Sequence, residues 1–79
     1  MIRTNLRTGR QLKAARALAG IKQVELAKAT GLHVNSIRYM ERKDRITDTC
    51  STIERVVAVL EGFGVVLVSD PTPGVCLNR

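Results

Sequence analysis

Asn35 and Arg38 stand three residues apart in a chain of 79 residues, and each carries a planar group able to make two parallel hydrogen bonds. A carboxamide can pair in this way with adenine and a guanidinium with guanine, while a valine such as Val34 can pack on a thymine methyl group. Other chemistry is thin. The chain has one histidine, His33, and two isolated cysteines, Cys50 and Cys76. Neither cysteine lies in a C-x-x-C pair or near a clustered histidine, and there is no glycine-rich phosphate loop. No nucleophile, base and orienting group fall together, so the chain is read as a non-enzyme without metal or cofactor. The cysteines read as ordinary small apolar residues, and His33 reads as a weak helix cap rather than a ligand.

The charge balance points to a partner. The formal net charge is +6, but residues 1–45 hold eleven basic side chains against Glu25, Glu41 and Asp44, whereas residues 46–79 hold two basic against four acidic. A lysine or arginine set on a phosphate releases condensed counterions, so a basic half of this kind favours a polyanion, with nucleic acid the leading candidate. No stretch reaches the roughly 18 apolar residues of a membrane span, and no signal peptide is visible. A cytoplasmic location with reduced thiols is expected.

The elements that must position Asn35 and Arg38 follow from the apolar spacing. Residues 1–7 are polar and basic and read as an arm or short cap, from which Arg3 and Arg7 could reach DNA. A first helix starts after Thr8, its capping residue, with Leu12, Ala15 and Ala19 turned inward, and ends at Gly20. A second is expected from about Lys22 to Ala29 and a third from about Val34 to Arg42, with Ile37 and Met40 buried. Asp48, Thr49 or Ser51 could open a fourth, Ser51 having capping-box spacing with Glu54. Its stripe Ile53, Val56, Val57, Leu60 closes the core. Val65-Val66-Leu67-Val68, the turn-rich segment Asp70 to Gly74 and Val75-Cys76-Leu77 then read as a β-hairpin. The expected organisation is an arm over 1–7, a helical domain over 8–62 and a hairpin over 63–79.

Within Gln23 to Glu41 the spacing has a geometric reading. Ala27 allows two helices to cross closely, Gly31 four residues later permits the tight turn, and Leu32 and Ile37 anchor the following helix. His33, Val34, Asn35 and Arg38 are left on an outward edge that could enter a major groove.

This pattern resembles the helix-turn-helix of the lambda-repressor and Cro-like superfamily. The resemblance covers roughly residues 10–60 and rests on Leu12, Arg16, Gln23, Leu26-Ala27, Gly31, Ile37 and Met40-Glu41. It implies a mainly α, compact four- to five-helix domain, here with a C-terminal β-hairpin, that binds double-stranded operator DNA, usually as a dimer on a palindrome. It further implies that Gln23 contacts a phosphate or braces the recognition helix, and that Val34, Asn35 and Arg38 face base edges. Ser36, Tyr39, Arg42 and Lys43 would lie nearer the DNA backbone. Arg16 and Glu41 are expected to form a structural ion pair. Lys22 and His33 depart from the Ser or Thr usual in the family, so both helices start from weaker caps.

The hairpin carries a separate expectation. Two strands alone are marginal in water, and Val65, Val66, Leu67 and Val68 offer apolar side chains on both faces. The helical bundle can cover only one face, so a homodimer through this element would bury the other face and the open strand edge and set two recognition helices about 34 Å apart, one turn of DNA. The competing reading is a protein-interaction module, such as an antitoxin or anti-repressor, that uses the same fold and strand for a protein partner.

Overall fold

The structure, a computed structural model, describes residues 5–47, 50–68 and 73–77. Its first element is helix α1, Gly9–Ala19, and it begins where the sequence supplies a cap. The Gln11 N–H donates to Thr8 Oγ1 at 3.1 Å and the Thr8 N–H to Gln11 Oε1 at 3.4 Å, a reciprocal capping box. Leu12 and Ala15 are fully buried, and Gly20 closes the helix.

Helix α2, Gln23–Thr30, sits one residue later at both ends than expected. Lys22 offers no acceptor, and the Glu25 carboxylate caps instead by accepting from the Lys22 N–H at 2.8 Å. At the other end Gly31 has φ 75°. Its N–H donates to Lys28 O and the Leu32 N–H to Ala27 O, at 3.3 and 3.0 Å. This left-handed closure is costly for any residue with a Cβ, which accounts for glycine here. It turns the chain into helix α3, Val34–Arg42, the range expected.

Helix α4, Cys50–Gly62, contributes Ile53, Val56 and Leu60 to the core, with Val57 partly buried beside them. Ser51 lies inside this helix, so the expected Ser51–Glu54 capping box is not its start; Asp48 and Thr49 lie outside the described residues. Strands β1, Val65–Val68, and β2, Gly74–Leu77, pair antiparallel, with Val65 opposite Leu77 and Val68 opposite Gly74.

Two expectations change. The hairpin is not an appendage: Val65 is 0% and Leu67 5% exposed, both in the common core with Leu12, Leu26, Ile37, Met40 and Leu60. Alternation puts these two on the inner face and Val66 and Val68 on the outer. Of the arm expected over residues 1–7, the described part is tied down. Leu6 is buried in the core, the Asn5 side chain donates to Leu67 O at 3.0 Å, and the Ile46 N–H donates to Arg7 O at 2.8 Å. The buried Leu6 and these hydrogen bonds together hold residues 5–7 on the domain.

Gln11 joins these pieces. Its amide is buried, and Nε2 donates to Asn5 O, Val68 O and Gly74 O at 2.7, 2.8 and 3.0 Å. Oε1 accepts from the Arg7 N–H at 2.6 Å. One side chain thus satisfies backbone groups from the N-terminal segment and from both strands.

Candidate nucleic-acid interface

The exposed edge of α3 is fixed from behind by α1 and α2. Ile37 and Met40 are fully buried and hold the helix on the core. At its C-terminal end α3 meets the first turn of α1, where the Gly9 N–H donates to Lys43 O at 3.0 Å. A Cβ on Gly9 would stand 2.5 Å from Met40 O, Glu41 O and Lys43 O, so only glycine allows this approach. Partial positive charge at the α1 N-terminus meets partial negative charge at the α3 C-terminus. At its N-terminal end the Asn35 N–H donates to His33 Nδ1 at 3.0 Å. His33 therefore acts as a cap, in the tautomer whose proton is on Nε2.

A continuous series of hydrogen bonds runs from the scaffold to the edge. Arg16 Nε meets Glu41 Oε2 at 2.7 Å and Nη2 meets Oε1 at 3.3 Å, a two-point ion pair whose carboxylate is 5% exposed. Arg16 Nη1 also donates to Ile21 O at 3.1 Å. Gln23 Nε2 donates to Glu41 Oε1 at 3.0 Å, and Gln23 Oε1 accepts from Arg38 Nε at 3.3 Å. Arg38 Nη1 then donates to Asn35 Oδ1 at 3.2 Å. The two residues with base-pairing chemistry are thereby held against each other and against α2 before any ligand arrives. Asn35 keeps its amide N–H2 and Arg38 its outer N–H groups for a partner.

The remaining site residues divide by exposure. Arg38, Tyr39 and Arg42 are exposed on α3, and the Lys43 ammonium lies 4.5 Å from the centre of the Tyr39 ring. Val34 and Ser36 are half-buried, and Val34 packs partly on the core, so less of it faces outward than expected. Arg7 is exposed, next to its tethered backbone, and Arg3 lies outside the described residues. Ala27 is buried where α2 approaches α3. The expected dimer residues need correction: Val65 and Leu67 are spent on the protomer's own core, leaving Val66 and Val68 half-exposed.

Sequence reasoning missed Gly9 and Gln11. The T-x-x-Q spacing from Thr8 to Gln11 signals a capping box, but nothing local announces that the same amide reaches a hairpin more than fifty residues away. Gly9 carries no local signal, since its role is set by a helix from elsewhere in the chain.

Two helices joined by a tight glycine turn, with the second presenting donors and acceptors from a braced and exposed edge, make a helix-turn-helix that reads DNA. The family described as helix-turn-helix matches residues 12–67. The chain belongs to this family, the lambda-repressor and Cro-like DNA-binding regulators of transcription. Among curated proteins nothing matches it. No helix of the described residues is long and apolar enough to cross a membrane.

Proposed function

We propose that the chain is a sequence-specific repressor that binds a palindromic operator as a homodimer, with α3 in the major groove. The observation that carries this reading is the bonded series Glu41–Gln23–Arg38–Asn35 on an exposed helix edge. Holding the reading side chains in place reduces the ordering cost of binding. Asn35 and Arg38 contact base edges, and Val34 adds what apolar surface it leaves exposed. Gln23 braces Arg38, while Ser36, Tyr39, Arg42, Lys43 and Arg7 contact phosphates, a role also assigned to Arg3 from the sequence alone. Dimerisation uses the outer face of the hairpin, Val66 and Val68, because apolar side chains there are only partly covered within the protomer's described residues.

Selection of binding sequences from a randomised duplex pool tests the reading. The expected product is an inverted repeat with half-site centres one helical turn apart. Asn35→Ala and Arg38→Ala should each relax one base position at a cost of about 1–3 kcal/mol. Enrichment of no sequence by the wild-type chain, or the same sequence by both variants, would remove α3 from the reading role. Loss of all salt-dependent duplex binding would instead favour the protein-interaction module.

A further inference from the structure

The chain's one histidine stands directly ahead of the reading helix. His33 is exposed and serves α3 twice. Its carbonyl accepts from the Ser36 N–H at 2.9 Å, and its ring Nδ1 accepts from the Asn35 N–H at 3.0 Å. The first N–H groups of a helix find no partner within it, so the ring supplies what the helix cannot. The residue satisfied in this way is one assigned to base edges, and its Oδ1 accepts from Arg38 Nη1 at 3.2 Å. Asn35 is therefore held at two points, through its own N–H and through its carboxamide.

A serine or threonine hydroxyl would cap α3 at any pH, but an imidazole accepts only while Nδ1 keeps its lone pair. Histidine is the side chain that ordinarily takes up its proton between about pH 8 and 5. Once protonated, Nδ1–H and the Asn35 N–H are two donors face to face. The new charge also meets the partial positive charge at the α3 N-terminus. Both effects turn the ring away and release the first turn.

Among the described residues no carboxylate pairs with His33 to hold a charged ring in place. The elements packed on α3 are α1 and α2. Glu25 of α2 is bound to the Lys22 N–H at the far end of that helix, and Lys28 in its last turn is a like charge. Arg10, Lys13 and Arg16 of α1 are cationic, as are Arg38 and Arg42 of α3 itself. Glu41, the carboxylate of α3, is taken by Arg16 and Gln23.

We propose that His33 is a positioning residue whose neutral ring holds Asn35 for base reading, so that sequence discrimination weakens as pH falls through the histidine range. This role rests on the DNA-reading function above. Protonation also adds one positive charge beside the duplex, which favours phosphates of any sequence. Acid therefore erodes the choice between sequences while the hold on DNA in general is kept. Unfolding would lose both together.

The test uses the full chain with two fluorescent duplexes, the selected operator and a scrambled version, and reads affinity by anisotropy at fixed ionic strength from about pH 8 to 5.5. The ratio of operator to scrambled affinity should fall about three- to fivefold, the equivalent of one lost cap, with scrambled affinity unchanged or higher. His33→Ser keeps an acceptor that does not titrate, so its ratio should stay near the wild-type value at the alkaline end throughout. His33→Ala should show the reduced ratio at every pH. In the free wild-type chain, the carbon chemical shifts of Asn35 and Ser36 should move toward coil values as the ring titrates. A wild-type ratio independent of pH, or an equal fall in the serine variant, overturns the role while leaving DNA reading in place. So does His33→Ala with a wild-type ratio, or carbon shifts indifferent to the ring. A serine variant with a low ratio at every pH overturns it in favour of direct contact between ring and base. Parallel loss of operator and scrambled affinity overturns it in favour of general acid loosening. A wild-type chain that prefers neither duplex at any pH removes the reading function, and this role with it.

Discussion

Gln11→Glu is the sharpest single test of how this domain holds together, because local rules and the structure give opposite signs. Gln11 is the third residue of α1, where glutamate completes a capping box as well as glutamine does and its charge favours the helix N-terminus. On that account the change should stabilise by about 0.3–1 kcal/mol. The structure places Nε2 within 2.7–3.0 Å of three carbonyl oxygens, those of Asn5, Val68 and Gly74, at a residue 4% exposed. Replacing Nε2 by oxygen removes every donor and turns the contacts repulsive. The amide has two hydrogens for three acceptors, so about two hydrogen bonds are lost. Leaving that many buried groups unsatisfied costs about 1–3 kcal/mol each. A net loss of about 2–5 kcal/mol follows once the helix term is subtracted.

At about 4–8 °C per kcal/mol for a domain of this size, melting should fall by about eight degrees or more. The variant carboxyl is favoured protonated in the fold, so its folded-state pKa lies above its unfolded value. Its deficit relative to wild type is therefore smallest at acid pH and grows as pH rises through the folded pKa. Urea denaturation followed by circular dichroism from acid to neutral pH measures both effects. A variant as stable as wild type at neutral pH would refute the reading of Gln11 as the anchor of the hairpin.

Gly9→Ala should destabilise by about 3 kcal/mol or more, since three backbone oxygens at 2.5 Å cannot all retreat without parting α1 from α3; a denaturation midpoint matching wild type would count against that contact. Arg16→Met strands the Glu41 carboxylate with Gln23 as its remaining partner. It should cost about 3 kcal/mol, the low end for a broken buried pair because Arg16 is 19% exposed, and double-mutant cycles with Glu41→Gln should return most of it. Val66→Lys and Val68→Lys should yield a monomer by sedimentation with near-normal melting, whereas removing everything after Gly64 also removes Val65 and Leu67 from the core and should unfold the domain. A dimer that survives both lysine changes would place the interface elsewhere.

The helices were legible because their signals are local. Leu12, Ala15, Ile37, Met40 and the stripe of α4 repeat at helical spacing, and Gly31 marks a turn that its φ of 75° requires. The two faces of β1 were legible as apolar, but alternation alone does not say which face meets the helices or that Val65 would be fully buried. Leu6 gave too short an apolar signal to distinguish an arm from a packed segment. At the site, Asn35 and Arg38 stood out by type and spacing. Their coupling through Gln23, which the family resemblance offered only as one of two roles, depends on the approach of α2 to α3 that the turn at Gly31 sets.

Three attachments on α1 connect features that lie far apart in the chain. Gln11 binds the N-terminal segment and both strands of the hairpin, Gly9 receives the C-terminus of α3, and Arg16 holds Glu41 and through it Gln23. Helix α3 and the hairpin are thus both fastened to one eleven-residue helix as well as sharing its core. In a dimer formed through the hairpins, the separation of the two reading helices is then set by a rigid helix and not by a flexible linker. Loosening Gln11 would let the hairpin, and with it the partner, move relative to α3. Half-site spacing would lose definition while contacts within each half-site, held by Arg16, Glu41 and Gln23, persisted. In such a dimer, stability of the hairpin attachment and stringency of operator spacing would be coupled through the same buried amide.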